Sequence, residues 1–335
     1  MYDYLSFWGG VDLFFAVSGY VVASRLLRDL DGARGPGEAW PAMKRFWIRR
    51  AFRLFPLAWA WLLIVLLASA FFNRSGIFGE TSENARQALW IFFYVYNWIA
   101  YPLFQAGVNI QPLGVFWSLS IEEQFYLLLP IALVFVPRRG LMLALAAAIL
   151  VQFFMWRPGP FLDPLWGLRS DALAWGVLIA FLARSRWHER VRPHWIANAA
   201  VAYVVNGLLL AAIVALSMPF LKVSVTTGLF IVACAAWVWL ASYESGYVLP
   251  SRSLRPLMMW LGSRSYSLYL AHMTVYMSAN EIVQRIAAAR GVASDPSWAP
   301  LQVALAFLLL LGVAEAGYRY LEMPLRNYGR RLAAA

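Results

Sequence analysis

Two adjacent carboxylates, Glu122 and Glu123, lie early in an apolar run that is otherwise typical of a membrane span. A carboxylate in hydrocarbon is costly, so such residues usually face a bundle interior and mark a pathway or a site. Neighbouring side chains point about 100° apart on a helix, so the two acids cannot face one cavity equally. We therefore expect one of them to carry function and the other to make a structural hydrogen bond.

Three further polar residues lie in apolar runs. Asp12 lies one turn into the first run, and Asp171 stands beside Arg169, where mutual neutralisation is as good an interpretation as a functional one. His272 falls near mid-membrane in the run that contains it. It is either a buried histidine that donates to a backbone or hydroxyl group, or a general base.

Arg50 and Arg53 lie in a basic segment that leads directly into an apolar run. Residues three apart share a helix face, so the pair could clamp a phosphate or pyrophosphate group. The alternative is a basic segment that anchors the chain at the membrane surface. The sequence contains no glycine-rich phosphate loop, so side chains would have to hold any nucleotide-like ligand.

The composition places these residues in a membrane protein. Of the 335 residues, 62% are hydrophobic and 13% are charged, whereas soluble domains carry about 25% charged residues. The net charge of +11 is spread over short loops, which favours the positive-inside pattern and gives no indication of nucleic-acid binding. The lone Cys234 cannot form an internal disulfide or a metal site by itself, and no metal-binding spacing is present.

The predicted fold is all-α: a polytopic transmembrane helical bundle that forms a single domain over residues 1–335. An apolar, aromatic segment at 87–105 is predicted to be re-entrant or interfacial rather than a crossing. The nine predicted crossings are 8–24, 54–72, 114–136, 141–156, 164–183, 195–216, 223–241, 260–279 and 300–321.

Loop charge decides how 87–105 is counted. If it does not cross, the loops on one side hold twenty of the 28 Lys and Arg, whereas counting it as a crossing destroys this bias. The positive-inside rule then predicts a cytoplasmic C-terminus and an N-terminus outside, which suggests that a helix is missing in front. The acids lie towards the outer side and the arginine pair towards the inner side. This polarity suits a phosphorylated donor inside and a polar acceptor outside, and it also suits a transporter.

An ordered set of motifs resembles the acyltransferase-3 family of membrane acyltransferases over essentially the whole chain. The motifs lie at 9–20 (GGVDLFFAVSGY), 50–56 (RAFRLFP), 97–98 (NW), 117–126 (WSLSIEEQFY), 168–173 (LRSDAL), 265–272 (SYSLYLAH) and 320–326 (YLEMPLR). The resemblance implies ten transmembrane helices and transfer of an acyl group, usually acetyl from cytoplasmic acetyl-CoA, to an acceptor hydroxyl at the outer face. It also implies that Arg50 and Arg53 match the family's CoA-associated arginine pair and that Glu122 lies in its acidic motif.

One departure from the family concerns the base. The family's first helix carries an Arg followed about ten residues later by a His taken to be catalytic, and nothing before residue 9 supplies either. The nine predicted crossings are also one fewer than the family's ten, and the missing helix would lie in front. We therefore expect a sequence that is shortened at its front. The alternative is a shorter homologue that uses His272 or no base.

The combined expectation is an integral acyltransferase of the bacterial inner membrane, similar to O-antigen and exopolysaccharide O-acetyltransferases. Acetyl-CoA or another acyl-CoA is the expected donor, and a glycan or small hydroxylated molecule is the expected acceptor, without a metal. Glu122, Glu123 and Asp12 would orient the acceptor or base, with His272 as the fallback base. The alternatives are a transporter or flippase of a glycolipid or acylated small molecule, and an inactive truncated homologue.

Overall fold

The computed structural model describes residues 10–155, 157, 163–217, 225–248, 251–292 and 295–334, and these residues form helices and connecting turns without a β-strand. The α-helices are α1 (Gly10–Asp29), α2 (Pro36–Phe71), α3 (Thr81–Phe92), α4 (Tyr96–Gln105), α5 (Phe116–Phe135), α6 (Arg138–Phe154), α7 (Asp171–Ala183), α8 (Trp187–Arg190), α9 (Ala199–Leu216), α10 (Thr226–Ala241), α11 (Arg255–Ala289), α12 (Ala299–Ala316) and α13 (Met323–Leu332). Short 3₁₀ turns lie at Gln111–Leu113, Pro164–Leu168, His194–Ala197 and Pro296–Trp298, and the π-helical segment Gly317–Glu322 joins α12 to α13.

Six helical segments of the described chain are long and apolar enough to cross a membrane. Two of them bury only 6% of their most apolar window inside the protein, as expected for helices that face lipid. The protein is therefore an all-α integral membrane protein. The six segments are Gly10–Asp29, Pro36–Phe71, Gln111–Phe135, Pro164–Ala183, Ala199–Leu216 and Pro296–Leu332.

The other three predicted crossings also fall on helices. They coincide with α6, with α10, which is apolar but has 16 residues, and with the middle of α11. The total of nine crossings stays a prediction. Residues 8 and 9 of the first predicted crossing lie outside the described residues.

Several predicted boundaries were wrong because helices continue past the apolar runs. Helix α2 begins at Pro36, eighteen residues before the predicted crossing 54–72, and proline is well suited to the first position of a helix. The Glu38 side chain accepts a hydrogen bond from the Arg34 amide at 2.9 Å and so fixes the turn before it. Helix α11 continues ten residues past the predicted crossing 260–279 and ends at Ala289.

The segment 87–105 is broken rather than continuous. It is shared between α3 and α4, which are separated at Tyr94, whose φ is 53°. Helices of 12 and 10 residues are too short for a hydrocarbon core that needs about 20. This agrees with the prediction that the segment does not cross as one helix.

The described chain forms two compact units. The first consists of the described residues of Met1–Met43 and Ile121–Pro256, and the second of those of Lys44–Ser120 and Leu257–Ala335. The single domain predicted for 1–335 stays a prediction.

In the first unit, α1 packs closely on α7 through two glycines. A Cβ atom on Gly176 would meet the backbone of Ala16, and one on Gly19 would meet the backbone of Leu173. Small residues let helix backbones approach in this way in membrane proteins. Phe15 and Val177 are fully buried in α1 and α7.

In the second unit, hydrogen bonds join α11 to other segments. The Tyr266 hydroxyl donates to the Leu54 carbonyl of α2 at 2.7 Å. The Tyr269 hydroxyl lies 2.6 Å from the Ser118 hydroxyl near the start of α5. These contacts fix the rotation of α11 and with it the direction of the side chains that α11 carries.

Candidate functional site

Glu122 is held by two hydroxyl groups inside the first unit. Its side chain is fully buried, and its Oε1 accepts hydrogen bonds from the Ser18 hydroxyl of α1, at 2.7 Å, and from the Tyr126 hydroxyl. Tyr126 lies four residues later on α5, where side chains share a helix face. The Ser18 and Tyr126 hydroxyls are themselves 2.6 Å apart. The carboxylate is therefore fixed in one orientation.

Glu123 lies in a different environment, as the helix geometry predicts. It is partly exposed, whereas Glu122 is fully buried. The assignment of orienting roles to the two acids stays a prediction.

Asp12 forms a two-pronged ion pair with Arg169, and both side chains are fully buried. Arg169 Nε donates to Asp12 Oδ1 at 3.0 Å, and an Nη2 group donates to Oδ2. The guanidinium also stacks on the Trp166 ring, 4.0 Å from its centroid. Both oxygens of Asp12 are engaged by Arg169, and the role of Asp12 in orienting the acceptor or base stays a prediction.

The proposed neutralisation of Asp171 by Arg169 was wrong. Asp171 pairs with Arg157, whose two terminal nitrogens donate to its carboxylate at 2.7 and 3.1 Å. Arg157 also donates to the Gln152 carbonyl at 2.9 Å. Asp171 still interacts with Arg169 electrostatically, but the direct ion-pair partner of each residue is a different side chain.

Sequence reasoning missed Arg157 because its spacing resembles an ordinary loop cation at the end of a span. A buried arginine that follows an apolar run and precedes an intramembrane aspartate is a weak signal. This signal becomes specific only once the folded structure shows the contact between Arg157 and Asp171.

Arg50 and Arg53 lie on α2 in the second unit, three residues apart and partly buried. The Arg50 guanidinium stands 5.7 Å from the centroid of the Phe46 ring. The Nε atom of Arg53 is buried and makes no hydrogen bond to the part of the chain that the structure describes. Such a buried donor fits an anionic group, because a phosphate oxygen would satisfy it.

A cationic cluster surrounds Glu322 in the same unit. Arg53, Arg264 and Arg326 are all close enough to interact electrostatically with this buried carboxylate. Glu322 accepts a hydrogen bond from the Ser267 hydroxyl at 3.0 Å and lies 3.9 Å from Arg326. It ends the π-helical segment, a type of distortion that is frequent at functional sites. Arg264 is also paired with Glu315 at 2.8 Å, so the three arginines outnumber these two carboxylates by one, and the remaining positive charge suits an anionic group.

His272 has a defined tautomer. Its Nδ1 lies 2.5 Å from the Tyr269 carbonyl oxygen, which can only accept, so Nδ1 carries the proton. The Nε2 atom of the neutral ring is then a proton acceptor. Tyr269 in turn is held by Ser118. His272 therefore has a satisfied Nδ1, as the structural interpretation predicts, and its role as a base stays a prediction.

Within the described residues, no group of three or more His, Cys, Asp or Glu side chains could hold a metal ion. The second unit contains a cluster of arginines that suits an anion and the imidazole of His272. The first unit contains the buried carboxylates of Glu122, Asp12 and Asp171.

Comparison with known proteins identifies the family. Residues 4–315 match the family model described as an acyltransferase domain. The chain belongs to this acyltransferase-3 family. The resemblance carried by the sequence motifs is thereby confirmed.

The curated relatives of this family member are O-acetyltransferases by name. It is 31% identical to peptidoglycan O-acetyltransferase OatA of Listeria monocytogenes, over 96% of this chain and 51% of that protein. It is 28% identical to YrhL of Bacillus subtilis, which carries the provisional name of a peptidoglycan O-acetyltransferase, over 96% of this chain and 51% of that protein. The chain thus spans about half the length of the curated relatives it matches. No solved structure matches it.

Proposed function

We propose that this acyltransferase moves an acetyl group from cytoplasmic acetyl-CoA to a glycan hydroxyl at the outer face of the bacterial inner membrane, with its own C-terminus in the cytoplasm. The observation that carries the proposal is the similarity along 96% of the chain to a protein named as a peptidoglycan O-acetyltransferase. Peptidoglycan is accordingly the proposed acceptor class. The net charge of the inner loops supports the proposed orientation.

The donor would be held by the arginine cluster of the second unit. Arg50 and Arg53 are proposed to bind the phosphates of CoA, and the buried Nε of Arg53 supplies a hydrogen bond donor that needs an acceptor. Arg264 and Arg326 add positive charge around Glu322. The acetyl thioester supplies the group that is transferred.

His272 is proposed as the general base. Its Nε2 takes the proton of the acceptor hydroxyl while that oxygen attacks the thioester carbonyl carbon. The new C–O ester bond forms, the C–S bond breaks, and the proton passes from the imidazolium to the leaving thiolate. The Tyr269 carbonyl stabilises the imidazolium through Nδ1–H. Glu122 and Glu123 are proposed to orient the acceptor.

The test is transfer of label from ¹⁴C-acetyl-CoA to peptidoglycan glycan strands by the purified chain in proteoliposomes. O-acetyl esters are cleaved by mild alkali, so label in the glycan should be alkali-labile. Replacing His272 by Ala should lower kcat by about a hundredfold or more, in line with the usual contribution of a general base. Absence of alkali-labile label with the unsubstituted chain would contradict the proposal, and a flippase would give that result.

The donor assignment has its own test. Arg50→Ala combined with Arg53→Ala should weaken acetyl-CoA binding at least about tenfold, because two charge-assisted contacts are lost. Arg45→Ala is the matched control, since Arg45 is an exposed arginine on the same helix. Equal affinity in the double variant and the control would overturn the donor site.

A further inference from the structure

A small polar cleft lies between the C-terminal end of α11 and the start of α12, in the second unit. It has a volume of about 130 Å³, and its polar lining comes from Asn280, Gln284, Asp295 and Gln302, with Trp298 as an aromatic wall. This volume is below the roughly 300–1,000 Å³ of pockets for drug-sized ligands. The cleft therefore suits one ring or chain end rather than a whole oligomer.

The lining chemistry matches a sugar. Side-chain amides both donate and accept hydrogen bonds, as sugar hydroxyls do. An indole face is a flat apolar surface of the kind that packs against the C–H face of a pyranose. Trp298 is partly exposed and has the Arg290 guanidinium over its ring at 5.4 Å, a contact that holds the indole.

Gln302 supplies a group that needs a ligand. Its amide nitrogen is buried and makes no hydrogen bond within the described ranges of the chain. If the amide were rotated, the unsatisfied atom would be an oxygen instead. A hydroxyl group satisfies either arrangement, because it both donates and accepts.

The other polar groups are already oriented. Gln284 donates to the Asn280 oxygen at 3.2 Å, and Asp295 accepts from the Ser297 amide at 2.8 Å. Among the described residues that line the cleft, Asp295 is the only carboxylate and none is a cation, so the lining disfavours an anion, and a single carboxylate is too few ligands for a divalent metal. A neutral polyhydroxyl ligand fits this charge.

The position along α11 links the cleft to the proposed chemistry. Asn280 comes eight residues after His272, about 12 Å further along the helix. It also lies beyond the predicted crossing 260–279. An α-helix of 35 residues is about 50 Å long, so α11 exceeds a hydrocarbon core of about 30 Å. In the proposed orientation this end of α11 is the outer end.

We propose that this cleft is a saccharide subsite that binds one neutral sugar ring of the acceptor glycan. The inference rests on the proposed function, because it assigns the acceptor a place on this chain. Trp298 stacks on the ring, and Gln302 and Gln284 hydrogen-bond its hydroxyl or acetamido groups. The cleft begins about 12 Å along α11 from His272.

The experiment measures binding of fluorescently labelled chitotetraose, a β-1,4 tetramer of N-acetylglucosamine, to the full chain in lipid nanodiscs. Trp298→Ala should raise Kd at least tenfold, and Gln302→Leu, which keeps the side-chain size, at least fivefold. Trp298→Tyr should restore most of the affinity, which separates loss of stacking from misfolding. Trp195→Ala is the control, since Trp195 is an exposed tryptophan of the first unit and should leave Kd unchanged.

The results separate the subsite from the proposed function. Chitotetraose binding that depends on Trp298 and Gln302 supports the subsite even if no acetyl group is transferred. No binding to the unsubstituted chain, or a Kd that is the same in all variants, overturns the subsite, even if acetyl transfer to peptidoglycan is observed. In transfer assays the subsite variants should raise the acceptor KM with a smaller change in kcat.

Discussion

At the residue scale, Asp12 and Arg169 depend on each other. Both side chains are fully buried, and without its partner each would lose its direct ion pair and keep only the longer-range influence of Arg157 and Asp171. Breaking a buried pair by removing one partner is strongly destabilising, whereas replacing both with apolar groups is often neutral. The exposed pair Arg184–Asp31 offers a contrast, because its side chains are 32% and 60% exposed.

Replacing Arg169 by Met should lower the free energy of unfolding by about 3–5 kcal/mol, since Asp12 is left buried and charged. The measurement is thermal unfolding of the purified chain in detergent. Arg184→Met should change stability by about 1 kcal/mol or less. The double replacement Asp12→Leu with Arg169→Met should recover most of the loss. Equal effects of Arg169→Met and Arg184→Met would refute this account of the pair.

The sequence located the buried polar residues better than it predicted their partners. Glu122 and Glu123 differ in burial as helix geometry requires. The partner of Arg169 could not be deduced, because Asp12 is 157 residues away in the chain and Asp171 only two. Pairing of this kind is decided by helix packing, which a single sequence does not report.

At the element scale, Glu281 fastens the loop after α2 to α11. It lies beyond the predicted crossing 260–279 and is fully buried. Its carboxylate accepts hydrogen bonds from the backbone amides of Arg74 and Ser75, each at 2.9 Å, and from Nε of Arg285 at 2.7 Å. Burial raises the pKa of Glu281, but the hydrogen bonds from Ser75, Arg285 and the two backbone amides outweigh it and lower the pKa to about 2.

This contact predicts a pH dependence. The pKa is about 2 in the folded protein against 4.5 for the free side chain, so the unfolded state binds more protons between these values. The stabilisation from Glu281 is complete above about pH 4.5 and is lost as pH falls towards 2. Thermal unfolding between pH 7 and pH 3 should show a steeper loss below pH 4.5 for the unsubstituted chain than for Glu281→Gln. Parallel pH profiles of stability for the two proteins would contradict this role of Glu281.

The contact between α1 and α7 predicts a steric effect. Gly176→Ala should destabilise the protein by about 1–3 kcal/mol, because the added methyl group would meet the α1 backbone. Gly207→Ala on α9 is the control, since nothing lies within 4 Å of its added Cβ and alanine favours a helix by up to about 1 kcal/mol. Thermal unfolding of the two purified variants in detergent measures both changes in stability. A neutral Gly176→Ala would show that the two helices do not pack this closely.

Helix identity was predictable at this scale, and helix ends were not. Hydropathy located every predicted crossing on a helix of the described chain, because apolar length is the signal that membrane insertion uses. The extensions of α2 and α11 beyond the apolar runs could not be found in this way, since polar helical turns outside the hydrocarbon resemble loops in composition. The break at Tyr94 depends on a backbone conformation that no nearby glycine or proline announces.

At the scale of the whole molecule, the second unit arranges the proposed chemistry in order along α11. Ser267 contacts Glu322 in the arginine cluster, His272 follows about 8 Å further along, and the polar cleft begins at Asn280. The sequence singled out His272 by its place in an apolar run, and the family resemblance singled out Arg53, which lies near Glu322. It did not reveal the cleft, because Trp298 and Gln302 are ordinary residues until α11 and α12 bring them together.

The sidedness of acetyl transfer tests the central claim most directly. Proteoliposomes with one known orientation would be loaded with peptidoglycan glycan strands, and ¹⁴C-acetyl-CoA would be added outside. Alkali-labile label should enter the trapped glycan when the C-terminal segment 326–334 faces the added donor, and His272→Ala should abolish it. Label that appears only when donor and glycan share one face, or that enters from the opposite orientation, would contradict transfer across the membrane.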